Sequence, residues 1–212
     1  MLSERPLLYL VTDRLSLSGE KKEHSLIALI TRAAKAGVDL IQIREKDLTG
    51  LALFELVKAS IASVRPFGAK VLVNDRIDVA LAANADGVHL PSNSIPVEVA
   101  RQLIGANRLL GVSTHSNEEV KRAEVGGADF VVYGPVFPTA SKLIYGEPVG
   151  LESLGQIAAG TELSVMAIGG ITEANYDSVL QKGAAGVAAI GMFAKSDSLE
   201  ELIRRIKTQS HE

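Results

Sequence analysis

Gly127-Ala128-Asp129-Phe130-Val131-Val132-Tyr133 reads in one pass as a helix end, a turn and a buried strand. Ahead of it, Asn117 to Gly126 carries a helical pattern, and glycine suits the left-handed geometry that closes helices. The same unit returns at Gly37-Val38-Asp39, Asn84-Ala85-Asp86 and Gly183-Ala184-Ala185, each ending a helix and opening an apolar run. These are the starts of the even-numbered strands 2, 4, 6 and 8, so they mark one end of every strand and thereby the other. With the runs between them the chain contains eight strand-like stretches: Leu7–Thr12, Asp39–Ile43, Lys70–Val73, Asp86–Leu90, Arg108–Val112, Asp129–Tyr133, Ser164–Ile168 and Gly186–Ile190. Helical patterns lie between them at Ser25 to Gly37, Leu51 to Val64, Asn117 to Gly126, Leu151 to Ala159, Thr172 to Gly183 and Leu199 to Ile206. Ser25 and Thr49 are the expected caps of the first two.

Short apolar strands alternating with helices predict right-handed βαβ units and a parallel sheet. Eight such units in 212 residues make a compact α/β fold, the (β/α)₈ TIM barrel, with residues 1–212 forming a single domain. An open doubly wound sheet is the rival, but the chain has no Gly-x-Gly-x-x-Gly and no Gly-x-x-x-x-Gly-Lys-Ser/Thr.

Composition narrows the function. The 22 Lys plus Arg against 25 Asp plus Glu give a net charge of −3, which offers no footprint for nucleic acid or an anionic membrane. Without cysteine there is no disulfide and no thiolate zinc site. Glu4 and Arg5 precede only a short apolar run, unlike a signal peptide, and no run reaches the ~18 residues of a membrane span. The expectation is a cytoplasmic protein acting on small molecules, with exposed helix faces that could support a homo-oligomer.

The chemistry should sit just past the strands, where a barrel gathers its strand tips. On strand 2, period 2 puts Gln42, Arg44 and Lys46 on one side if the strand stays extended that far. Inward cations are costly unless an anion meets them, so a phosphate or diphosphate is expected there; an ion pair with Asp75 or Glu45 is the structural alternative. Asn74 and Asp75 end strand 3 and read equally as turn formers or as oxygen ligands for Mg²⁺. After strand 6 comes Tyr133-Gly134-Pro135-Val136-Phe137-Pro138-Thr139-Ala140-Ser141-Lys142, whose Thr139, Ser141 and Lys142 suggest a loop that grips an anion. Gly169 and Gly170 after strand 7, and Ile190 and Gly191 after strand 8, can offer backbone N–H groups to a phosphate. Ser113 and His115 close strand 5, His115 as an acid/base or an inert hydrogen-bonded group; His89 reads as a satisfied core histidine.

With these residues set out, the chain resembles the thiamin-phosphate synthase and thiazole tautomerase family along nearly its whole length. The carrying motifs are Leu8-Tyr9-Leu10-Val11-Thr12-Asp13-Arg14, Gln42-Ile43-Arg44-Glu45-Lys46, Val73-Asn74-Asp75-Arg76, Gly87-Val88-His89-Leu90, Gly111-Val112-Ser113-Thr114-His115, Gly134 to Lys142 and Ile168-Gly169-Gly170. The resemblance implies a barrel that joins an aminopyrimidine-methyl diphosphate to a thiazole phosphate, releasing diphosphate with the help of Mg²⁺ through a pyrimidine cation. It places Gln42 on the aminopyrimidine, Arg44, Lys46, Asn74 and Lys142 on the diphosphate, Asp75 on the metal and Ser113 beside the departing group. Thr139, Ser141 and the 169–170 and 190–191 backbone would hold the thiazole phosphate. One departure matters: Ser94 stands where the synthases usually carry a second metal-binding Asp, as in the tautomerase branch, so metal affinity should fall unless Asp78 or water compensates. Two other readings stay open: a thiazole tautomerase-like isomerase with His115 as acid/base, and a non-catalytic thiazole-phosphate-binding sensor.

Overall fold

A computed structural model describes residues 6–139 and 147–208. Its strands are β1 (Leu7–Val11), β2 (Leu40–Ile43), β3 (Lys70–Asn74), β4 (Gly87–Leu90), β5 (Leu109–Thr114), β6 (Phe130–Tyr133), β7 (Ser164–Ile168) and β8 (Gly186–Ala189). All pair in parallel in chain order, and β8 returns to β1 with Leu7 opposite Gly186, closing the expected barrel. The helices are α1 (Lys22–Ala36), α2 (Gly50–Val64), α3 (Ile77–Ala82), α4 (Val97–Ile104), α5 (Asn117–Val125), α6 (Gly150–Ala159), α7 (Tyr176–Gln181), α8 (Gly191–Ala194) and α9 (Leu199–Thr208). None is long and apolar enough to cross a membrane.

Both faces of each strand are covered, which is why the runs are continuously apolar instead of alternating. Leu7, Tyr9, Leu40, Leu72, Phe130, Val132, Met166 and Ala188 fill the barrel interior. Their neighbours, such as Leu8, Leu10, Ile41, Val71, Val131 and Val187, pack outward against the helices.

The aspartates of the recurring turn do more than end helices. Asp39, Asp86 and Asp129 each accept, through Oδ2, the backbone N–H of the preceding strand's second residue: Leu8 at 2.7 Å, Val71 at 2.9 Å and Leu110 at 2.7 Å. A cation then fastens each one, Lys207 from α9 at 2.6 Å, Lys70 from β3 itself at 3.1 Å and Arg101 from α4 at 2.6 Å. The repeat therefore latches strands 1, 3 and 5 at the end opposite the polar tips. Asp129→Ala should cost about 1–3 kcal/mol in urea denaturation, since it strands the Leu110 N–H and takes the carboxylate from Arg101, which keeps its bonds to the Gly105, Arg108 and Gly127 carbonyls. A cost within error of zero would show that the latch contributes nothing.

Several boundaries move. Helix α1 starts at Lys22, with Lys21 at its cap position and no side-chain cap, so Ser25 lies inside the first turn. Its far end is as expected: Gly37, φ 107°, donates to Ala33 O and Ala34 O. Thr49 caps α2 by accepting Ala52 N–H. The pattern from Thr172 resolves into an Asn175-based turn, Asn175 Oδ1 accepting Thr172 N–H at 2.8 Å, with helix only from Tyr176. Asp13 is a local cap that accepts Leu15 N–H, and Ser113 lies within β5 instead of beyond it.

Candidate active site

Strand β2 carries Gln42 inward and buried, followed by half-buried Arg44 and exposed Lys46. Glu45, one residue out of phase, faces the other way and is buried. There it accepts Thr12 Oγ1–H at 2.6 Å, Arg14 N–H at 3.1 Å and the Arg14 guanidinium at 3.2 Å. Arg14 is also paired with Asp47 at 2.6 and 2.7 Å, which holds the Asp47 carboxyl below the usual range. Thr12 Oγ1 in turn accepts Arg44 N–H at 2.9 Å. Glu45 is thus committed to β1, and among the described residues neither Arg44 nor Lys46 has an ion-pair partner.

At the tip of β3 Asn74-Asp75 makes the turn that one of its two readings expects. Asp75 takes a positive φ of 63°, which Asp tolerates better than most residues, and its N–H bonds His89 O at 2.9 Å. The turn leaves its carboxylate at the rim, where Ser94 Oγ donates to it at 2.5 Å. The position expected to carry a second carboxylate is therefore spatially beside the first, but holds a hydroxyl. Asp78 does not compensate: Arg76 grips it at 2.8 and 2.5 Å and holds its carboxyl below the usual range. Among the described residues no group of three or more His, Cys, Asp or Glu side chains could hold a metal. The donor set fits Mg²⁺ only as a ligand-completed site, one carboxylate plus oxygens brought by a phosphorylated substrate.

Across the barrel a buried polar chain runs under this rim. Gln42 Nε2 donates to Tyr9 OH at 3.1 Å, Tyr9 OH lies 3.4 Å from His89 Nδ1, and His89 Nε2 lies 2.8 Å from Ser113 Oγ. Burial, with the Arg44 charge adding, lowers the His89 pKa to about 3, so the ring is neutral at ordinary pH. Burial likewise pushes the Tyr9 hydroxyl up, and it stays protonated. His89 is the satisfied inward histidine expected; Tyr9 went unnoticed inside its apolar run. His115 donates Nδ1–H to Gly134 O, because a carbonyl can only accept, and Glu119 takes its backbone N–H at 2.6 Å. That ring anchors the chain leaving β6.

The β6 exit pairs with the β7 tip, Val136 N–H to Ile168 O at 2.8 Å and Phe137 N–H to Gly169 O at 3.0 Å. Gly169 and Gly170 have φ of 95° and 64°, and a Cβ on Gly170 would stand 2.7 Å from Phe137 Cβ. Close packing alone thus requires glycine here, yet among the described residues the N–H groups of Gly169, Gly170 and Gly191 meet no acceptor. Thr139 lies at the edge of the described chain, half-buried; Ser141 and Lys142 fall outside the described residues. Ile190 and Gly191 follow β8 on the same rim. Every described candidate therefore sits at the C-terminal end of its strand.

An eight-stranded parallel barrel with its polar side chains gathered at that end is a TIM-barrel enzyme. Residues 8–193 match the model of the thiamine monophosphate synthase family, and the chain belongs to that family. It is 43% identical over 188 residues to a protein of Roseiflexus castenholzii named thiamine-phosphate synthase, covering 89% of this chain and 81% of that one. A Chlorobium luteolum protein of the same name is 39% identical over 201 residues, covering 95% and 91%. Among solved structures, thiamine phosphate pyrophosphorylase from Pyrococcus furiosus superposes with a TM-score of 0.83 at 35% identity, covering 95% of both chains.

Proposed function

We propose that this protein is a thiamine-phosphate synthase, joining an aminopyrimidine-methyl diphosphate to a thiazole phosphate with release of diphosphate. The observation that carries the reading is the Arg44–Lys46 pair, two cations just past β2 that meet no carboxylate among the described residues. A departing diphosphate supplies what they lack. The pyrimidine methylene–oxygen bond breaks with its electrons going to the diphosphate, and the thiazole nitrogen lone pair closes on the methylene carbon. Arg44 and Lys46 meet the negative charge as it grows, and Ser113 and Asn74 flank the leaving oxygen. Gln42 orients the aminopyrimidine, while Thr139 and the N–H groups at 169, 170 and 191 hold the thiazole phosphate. Mg²⁺ held by Asp75 and the diphosphate would supply further neutralising charge. Lys142 and Ser141 would join from the loop after β6.

Purified protein given both substrates and Mg²⁺ should form thiamine phosphate, and EDTA should abolish it. Aromatisation of a thiazole tautomer without condensation would instead establish the isomerase reading. Binding of thiazole phosphate without turnover would establish the sensor.

The Ser94–Asp75 contact allows a sharper test. Ser94→Asp places a second carboxylate beside the first, where a hydroxyl now donates to Asp75 at 2.5 Å. The Mg²⁺ concentration for half-maximal turnover should drop by about tenfold. An unchanged Mg²⁺ response would separate this edge of the rim from the ion.

A further inference from the structure

The Gln42–Tyr9–His89–Ser113 chain has a property that none of its members has alone. A neutral imidazole carries one proton, and a phenol has one to give. The chain therefore admits only two ordered states. In the first, Gln42 Nε2 donates to Tyr9, Tyr9 donates to His89 Nδ1, and His89 Nε2–H donates to Ser113. Gln42 Oε1 is then left as an acceptor toward the rim, and the Ser113 hydroxyl proton is free to donate. In the second every donor reverses: Ser113 gives its proton inward and Gln42 presents N–H to the rim. The two ends cannot be set independently. Burial enforces this, since Tyr9 is 0% and His89 2% exposed and neither can borrow a solvent partner. The links lie 3.1, 3.4 and 2.8 Å apart and join strands β1, β2, β4 and β5 across the barrel. Gly111 keeps the ring in place: a Cβ there would stand 2.8 Å from His89 Nδ1 and 2.7 Å from Phe130 Cε2.

We propose that Tyr9 and His89 are positioning residues that couple recognition of the pyrimidine at Gln42 to the direction of the Ser113 hydroxyl. The inference rests on the synthase reading and deepens it. A ligand offering an amino donor to Gln42 and a phosphate oxygen to Ser113 satisfies the first state at both ends. A 4-oxo pyrimidine, an acceptor in place of the amino donor, selects the second state at Gln42 and turns the Ser113 proton away from the leaving group. Discrimination between amino and oxo rings is thus expressed in turnover as well as in binding.

The test is a double-mutant cycle read with the aminopyrimidine diphosphate and its 4-oxo analogue. Tyr9→Phe, which removes only the hydroxyl, should lower kcat/KM for the amino substrate about 10- to 100-fold, mostly in kcat, and narrow the amino-over-oxo preference by a similar factor. In a Ser113→Ala background the same change should cost less than about threefold, because its route to the leaving group is gone. Full additivity, or an unchanged preference in Tyr9→Phe, would overturn the coupling. A second measurement needs no turnover: with inorganic diphosphate bound to the wild-type protein, ¹⁵N shifts of His89 should place its proton on Nε2. A proton on Nδ1 would overturn the assigned direction. If the wild-type protein forms no thiamine phosphate, the synthase reading fails while the ¹⁵N result still decides the direction of the chain.

Discussion

Arg44→Ala should reduce synthase turnover by about 10²–10³-fold, the loss seen when a preorganised group facing developing charge is removed. The side chain is half-buried at the end of β2 with no carboxylate beside it among the described residues, so nothing in the fold takes over its charge. Stability separates this from a structural arginine. Removing one partner of a buried ion pair destabilises a protein, whereas removing a half-buried cation that lacks a partner relieves it. Arg44→Ala should therefore leave the melting temperature unchanged or raise stability by about 0.5–1 kcal/mol, the familiar exchange between a strained site and a stable fold. The sign reverses when ligand is added: diphosphate should raise the wild-type melting temperature much more than that of the variant. Arg44→Lys should fall between, since it keeps the charge but loses the two-pronged guanidinium geometry. A collapse in stability together with activity would assign Arg44 to the scaffold and remove the main support for a diphosphate site.

The stretches that were legible beforehand and those that were not differ in the range of the interaction involved. The barrel showed itself because its evidence is local and repeated: a helix-closing glycine or asparagine, an aspartate, then an apolar run buried on both faces. The rim residues followed from direction alone, because knowing where strands begin identifies where they end. Tyr9 was hidden for the opposite reason. It stands among Leu7, Leu8, Leu10 and Val11, all buried, and its hydroxyl acquires meaning only from Gln42 and His89, 33 and 80 positions away. The inward period shared with Leu7 was the one available signal. Ser94 was visible as a departure, but its hydrogen bond to Asp75 depends on how two loops meet. The missed helices α3, α4 and α8 are short, at 6, 8 and 4 residues, and none has a side-chain cap to announce it. Ser25 failed as a cap because helix α1 gains an extra turn, in which Ser25 N–H already bonds Lys21 O at 3.1 Å.

Glu45 is the neighbouring carboxylate that could pair with Arg44 or Lys46, and simple alternation argues against it: a strand that points Gln42 and Arg44 inward must point Glu45 out. What it meets there sets the largest stability effect expected of the chain. Its side chain is 2% exposed and is the acceptor for Thr12 Oγ1–H, Arg14 N–H and the Arg14 guanidinium. Glu45→Ala leaves all three donors without it, and Asp47 can still neutralise only the guanidinium. Breaking a buried pair of this kind costs about 3–5 kcal/mol, and the surviving Arg14–Asp47 contact puts the expected value near the lower bound. For a domain of this size that corresponds to a melting temperature lower by roughly 10 °C. Glu45→Gln keeps an acceptor for Thr12 and should cost about half as much. The functional consequence follows from the same bonds, because Thr12 holds Glu45 with its proton and Arg44 N–H with its oxygen. Glu45→Ala, which removes the Thr12 acceptor, frees the backbone that aims Arg44 and should lower kcat about tenfold with every rim side chain still present. A variant that melts early but turns over at the wild-type rate would show that the Thr12–Arg14 network holds the barrel together without aiming its chemistry.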